Sequence, residues 1–163
     1  MDPAGAAAAA LRRRRHPGHR RLGGLLGRRA DHHQPGVAEV RRVFDAYRDA
    51  GGRGPLLLQV HLCWAPDEDT ALRTAHEQWR PAILGSDVGW DLATPADLAE
   101  ATAYVRPEDM WAHVLVSADP ARHVAWLREY AQLGVDELYL HHVGRDQQRF
   151  LDVFGGHVLP ELT

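Results

Sequence analysis

Lysine is absent from this 163-residue chain, and all 19 of its basic residues are arginine. With its many alanines, glycines and prolines, that bias points to G+C-rich coding. Cysteine is almost absent as well. Cys63 stands alone, which excludes an intrachain disulfide and leads us to expect a reducing compartment, the cytoplasm. No apolar run approaches the roughly 20 residues of a membrane span. Net charge is only -3, so no global attraction to nucleic acid is implied. There is no Walker loop, no GxGxxG, no GxSxG, no HExxH and no paired CxxC. Any chemistry must therefore be sought on the ends of strands.

The apolar fraction of 45% can support a core, and the length suits one domain of ordinary size. Residues 1–34 differ from the rest. They hold an alanine run from Ala6 to Ala10 and the arginines Arg12 to Arg15, Arg20, Arg21, Arg28 and Arg29, with no stable apolar period. Three readings compete for this arm. It could be a basic nucleic-acid contact, a transit peptide, or an out-of-frame translation. We favour the last, because G+C-rich codons for residues 16–33 read one base later can yield a segment containing WADGLIT. On each reading residues 1–34 form an arm that is disordered or out of frame, and residues 35–163 form the domain.

From Pro35 the pattern is regular. Val37, Val40, Phe44 and Tyr47 mark an amphipathic helix stopped by Gly51 and Gly52. Residues 55–64 alternate as a strand, with Leu56, Leu58, Val60 and Leu62 on one face and Leu57, Gln59, His61 and Cys63 on the other. Asp67, Glu68 and Asp69 open the next helix, whose buried stripe is Leu72, Ala75, His76 and Trp79. Thr94-Pro95 caps a further helix to about Tyr104, and Arg106-Pro107 interrupts it. Residues 112–117 read as a short strand and Asp119-Pro120 as the start of a helix ended by Gly134. Residues 137–143 alternate again, with Leu138, Leu140 and His142 opposite Tyr139 and His141. A last helix runs from about Asp146 to Phe154, loosened by Gly155-Gly156. Strands joined through helices make the parallel crossover unit, so the fold class is α/β with about three strand–helix units.

The segment LGVDELYLHHVGRDQQRFLDVFG, with SADP at residues 117–120, resembles the final strand and helix of luciferase-like oxidoreductases. The resemblance runs from about Val37 onward and is nearest to the deazaflavin-dependent sugar-phosphate dehydrogenases. It implies the C-terminal part of a TIM (β/α)8 barrel, because a whole barrel takes roughly 250 residues. It also implies FMN or the deazaflavin coenzyme F-420 as cofactor, hydride transfer or monooxygenation as the reaction, and a small-molecule substrate. WADGLIT would match the fifth-strand region of the same family.

In such a barrel the carboxyl ends of the strands line the active mouth. By position His141 and His61 become the candidate catalytic residues, with His141 favoured because the family tends to place a histidine there. Ser117, Cys63 and Trp64 become candidate cofactor contacts, and Trp90 in a loop is a second ring that could stack. No metal site is expected. His76 reads as core, and His123 and His157 as surface residues. Where sugar-phosphate relatives carry an arginine before the SADP strand, this chain has Ala112, so the phosphate grip of those relatives is not expected at that position. Two other classes stay open: a zinc-dependent barrel hydrolase using His61, His113 and His141, and a non-catalytic binding fragment using the basic arm. A partial barrel also leaves strand edges open, at residues 55–64 and 137–143, so self-association is expected.

Overall fold

The computed structural model describes residues 36–84, 88 and 92–162. The chain divides into two units, Met1–Ala30 and Asp31–Thr163. The arm at residues 1–34 and the loop residue Trp90 lie outside the described residues.

The elements follow the sequence pattern closely where local chemistry is strong. Helix α1 is Val37–Asp49, and Gly51 after it adopts φ 84°. Strand β1 is Leu57–Cys63 and helix α2 is Glu68–Trp79. Asp67 caps α2 by accepting the Thr70 N–H at 2.8 Å. Helix α3 is Pro95–Ala101, closed by a reciprocal capping box between Thr94 and Asp97. Strand β2 is Leu115–Val116 and helix α4 is Pro120–Ala131, followed by Gly134 at φ 73°. Strand β3 is Glu137–His142 and helix α5 is Gln147–His157. Such side-chain caps typically stabilise a helix by about 1 kcal/mol each.

Three boundaries depart from expectation. The β2 region is a strand for only two residues, because Pro107–Ala112 winds into a 3-10 turn instead. Helix α3 ends three residues early, at Ala101. Helix α5 runs through Gly155 and Gly156 to His157, since Val158, fully buried, anchors the far end in the core.

The sheet is parallel, in the order β2-β1-β3. β1 and β3 pair over six residues, from Leu57↔Glu137 to Leu62↔His142, whereas β1 and β2 pair over two. The register is pinned at its start, where the Leu56 N–H donates to Asp136 Oδ2 at 2.7 Å and the Asp136 N–H to Leu56 O at 2.8 Å. Sequential barrel strands would have put β2 in the middle. A two-residue strand cannot offer two useful ladders, and the two long strands pair directly. The expectation that residues 55–64 form a free edge is therefore corrected: β1 is central, and the edges are β2 and β3.

One face of the sheet carries Val60 and Leu62, packed with Val40 of α1, Val124 and Leu127 of α4, and Phe150 and Phe154 of α5. On the other face the carboxyl-terminal half is covered, with Cys63 packed among Ala71 and Ala75 of α2. The other half of that face stays open, and Leu57 and Tyr139 are each 50% exposed.

Two histidines are buried on the helix-covered side. His142 stacks on Phe150, with ring centroids 4.4 Å apart and planes 6° apart. His123, expected at the surface, has no exposed area, because α4 turns that side toward Phe154. Burial lowers the proton affinity of both rings below the ordinary histidine value. The unfolded chain therefore takes up protons at these rings before the folded one does. Their contribution is complete above about pH 6.5 and is lost as pH falls below it. The melting midpoint is expected to drop between about pH 7.5 and about pH 5. His142→Phe, which keeps the stack on Phe150, should flatten part of that slope. A midpoint indifferent to pH over this range would refute the buried neutral rings.

Candidate active site

The carboxyl ends of β1, β2 and β3 bring together the residues expected to carry chemistry. His61 and His141 are register partners, so both rings leave the same face of adjacent strands. Their Nδ1 atoms lie 2.9 Å apart. Trp79, the last residue of α2, stands against both, at 5.1 Å from the His61 ring and 4.8 Å from the His141 ring. A hydrogen bond between two Nδ1 atoms needs one donor and one acceptor. The pair can therefore hold one extra proton, but two would break it. Such a couple can store and pass a proton, as general acid–base chemistry requires.

Cys63 and Ser117 are placed differently from the histidines. Cys63 has no exposed area, and burial pushes its thiol up to about 12. Ser117 also has none. Its hydroxyl donates to Glu68 Oε1 at 2.7 Å and accepts the Asp119 N–H at 3.0 Å. The Ser117 carbonyl accepts from His123 Nε2 at 3.0 Å. A carbonyl only accepts, which places the His123 proton on Nε2 and leaves its buried Nδ1 without a partner. Ser117 thus ties the start of α2 to the start of α4. Trp64 is half-buried, and its indole N–H donates to Ala118 O at 2.9 Å. The Arg149 guanidinium lies over its ring, 5.8 Å from the centroid.

Trp64 also lines a cavity of about 500 Å³ between the ends of β1 and β3. Its walls include Thr70, Thr74 and Gln78 of α2, His142, and the arginines Arg145 and Arg149. The arginines of the HHVGRDQQRF turn carry no signal in the sequence that marks them as cavity residues. Alternation along a strand shows which face a residue takes; it does not show that α2 folds over to form the opposite wall.

The three-histidine reading is not supported by placement. His113 lies before β2, outside the strand, and among the described residues no group of three or more His, Cys, Asp or Glu side chains converges to hold a metal. The described residues do not by themselves fit a deazaflavin or flavin ring either. Two of the three side chains expected to touch it have no surface to offer.

The buried state of Cys63 is directly measurable. In the native chain at about pH 8 it should resist a soluble thiol reagent, and it should react fully once denatured. Rapid native labelling, read by mass spectrometry, would place the thiol at an open mouth instead.

No family profile matches the chain. It is similar to the F420-dependent glucose-6-phosphate dehydrogenase of Segniliparus rotundus, 33% identical over 115 residues, which is 71% of this chain and 34% of that protein. The enzyme of the same name from Microbacterium testaceum is 31% identical over 106 residues, covering 65% of this chain and 31% of that protein. Among solved structures, an F420-dependent secondary alcohol dehydrogenase in complex with an F420-acetone adduct superposes with a TM-score of 0.61 at 15% identity. That overlap takes in 77% of this chain and 38% of the other. The chain spans about a third of the length of the curated relatives it matches. The alternating parallel architecture and these relatives agree: the chain is similar to one part of the luciferase-like family of flavin- and deazaflavin-dependent TIM-barrel oxidoreductases.

Proposed function

We propose that the chain is one part of a deazaflavin-dependent oxidoreductase that moves a hydride between a small molecule and coenzyme F420. The observation that carries this is the activity of the two relatives described above, each an F420-dependent glucose-6-phosphate dehydrogenase, over most of this chain. Those names favour the deazaflavin over FMN and dehydrogenation over monooxygenation. The coenzyme supplies the hydride chemistry, and the protein positions it and handles protons. In this reading His141 and His61 hold the proton that accompanies the hydride. Trp64 offers a ring face, while Ser117 and Cys63 act beneath the surface by fixing the strand ends. No helix among the described residues is long and apolar enough to cross a membrane. A cytoplasmic location is part of the proposal.

Because the described residues do not enclose a tricyclic ring, this chain alone should show no tight binding of F420 or FMN in a fluorescence titration. Joining it to the preceding two thirds of a relative should restore F420 binding and dehydrogenation. His141→Ala should then lower turnover on the order of 10²-fold or more. A joined protein that folds yet ignores the coenzyme would sink the reading. Micromolar binding by the chain alone would show that it already carries a full site.

Self-association belongs to the same proposal. Among the described residues β3 has one unpaired edge, and Tyr139 on that strand is 50% exposed. Sedimentation of the full chain, and of residues 35–163, should depend on concentration. A concentration-independent monomer for the full chain alone would assign the covering to residues 1–34.

A further inference from the structure

The outer edge of β3 has a self-complementary chemistry. The Val143 N–H donates to Leu62 O at 2.9 Å. Successive residues of a strand turn their backbone groups alternately to one side and the other. Tyr139 and His141 therefore face β1 with these groups, and Leu138 and Leu140 turn theirs outward. Both neighbours of this pair on the edge are occupied. The Asp136 N–H is spent on Leu56 O at 2.8 Å, and His142 O accepts from Gln147 Nε2 at 3.1 Å. Among the described residues, Leu138 and Leu140 thus hold the outward groups open to a further strand.

One register uses all of them. When a second copy lies antiparallel on this edge, a twofold axis at Tyr139 sets Leu138 of each copy opposite Leu140 of the other. Each leucine pair then exchanges two backbone hydrogen bonds. An axis at Leu138 would call on the spent Asp136 N–H, and an axis at Leu140 on the occupied His142 O. The side chains agree with the same register. Tyr139 meets Tyr139 at the axis, and Glu137 of each copy stands opposite His141 of the other. These are non-hydrogen-bonded positions, where Cα atoms approach to about 4.5 Å and opposed side chains touch. Glu137 and Tyr139 are exposed, and His141 is half-buried. Glu137 Oε2 accepts from the Tyr139 hydroxyl, which leaves Oε1. His141 Nδ1 is turned to His61, which leaves Nε2. Carboxylate and imidazole are thus complementary across the edge. Leu138 and Leu140, partly buried against the core, continue its apolar layer from one copy to the next.

We propose that two copies of the chain join β3 to β3 in this antiparallel register, with Glu137 of each copy accepting a hydrogen bond from His141 Nε2 of the other. The second copy thereby completes the histidine couple. With its proton fixed on Nε2, His141 offers Nδ1 as an acceptor, and His61 Nδ1 becomes the donor. The contact is isologous and closes at two copies. It deepens the self-association reading and rests on it, and it does not need the oxidoreductase reading.

The test uses the full chain. Sedimentation should show a monomer–dimer equilibrium. Tyr139→Cys sets two thiols at the axis, and mild oxidation should give a covalent dimer that a reductant releases. The wild type, whose Cys63 is buried, should not cross-link. Leu151→Cys, at an exposed position of α5, should do so at least tenfold more slowly. Tyr139→Lys brings like charges together and should raise the dimer dissociation constant at least tenfold, whereas Leu151→Lys should leave it unchanged. Melting curves verify that each variant folds, and the cross-link decides the register if Tyr139→Lys does not. Imidazole nitrogen spectra should place the His141 proton on Nε2 in the wild-type dimer and lose that preference in Glu137→Gln. A full chain that is monomeric at every concentration overturns the interface. A dimer that neither cross-links through Tyr139→Cys nor weakens in Tyr139→Lys also overturns it, while self-association stands. A His141 tautomer indifferent to Glu137→Gln overturns the contribution of the second copy to the couple.

Discussion

Everything in this domain depends on the parallel ladder between β1 and β3. Six consecutive register pairs, started by the reciprocal bonds between Leu56 and Asp136, hold the two long strands in phase. That phase places Val60 and Leu62 with Leu138 and Leu140 toward α1, α4 and α5. It sets His61 directly against His141 on the opposite face. A slip of one residue would exchange the faces, burying the histidines among phenylalanines and exposing the leucines. The apolar pattern therefore enforces the register, and the register delivers the histidine couple.

A parallel sheet is ordinarily covered on both faces, since its crossovers lay helices on it. Here the cover is uneven. Three helices cover one face, while α2 covers only the carboxyl-terminal half of the other. This asymmetry explains the division among the strand-end residues. Cys63 and Ser117 lie beneath α2 and its capping loop and act as structure. His61 and His141 sit at the boundary against Trp79. Beyond them Leu57 and Tyr139 are open. The same placement of α2 creates the wall that, with the β3–α5 turn, encloses the arginine-lined cavity.

Buried polar groups mark where the packing carries a cost. The Nδ1 atoms of His123 and His142 have no partner, and an unsatisfied buried polar atom costs on the order of 1–3 kcal/mol. Each ring recovers part of that through aromatic contact, His142 with Phe150 and His123 with Phe154 and Trp126.

The sequence by itself determined the elements whose signals are local. Asp67, Thr94, Asp119 and Asp146 announce their helices because a side-chain oxygen meets a nearby N–H, and Gly51 and Gly134 announce stops because few residues tolerate positive φ. Alternation assigned Val60, Leu62, Leu138 and Leu140 to the core face and His61 and His141 to the other. The family resemblance came separately, from the motifs SADP and HHVGRDQQRF. Only the tertiary structure decided the strand order, the burial of Cys63, Ser117 and His123, and the joining of Arg145 and Arg149 to one cavity. Those outcomes rest on contacts between residues tens of positions apart, such as Trp79 with His141 and Gln78 with Arg145. Periodicity records which way a side chain leaves its own element, and it holds no information about which distant element arrives to cover it.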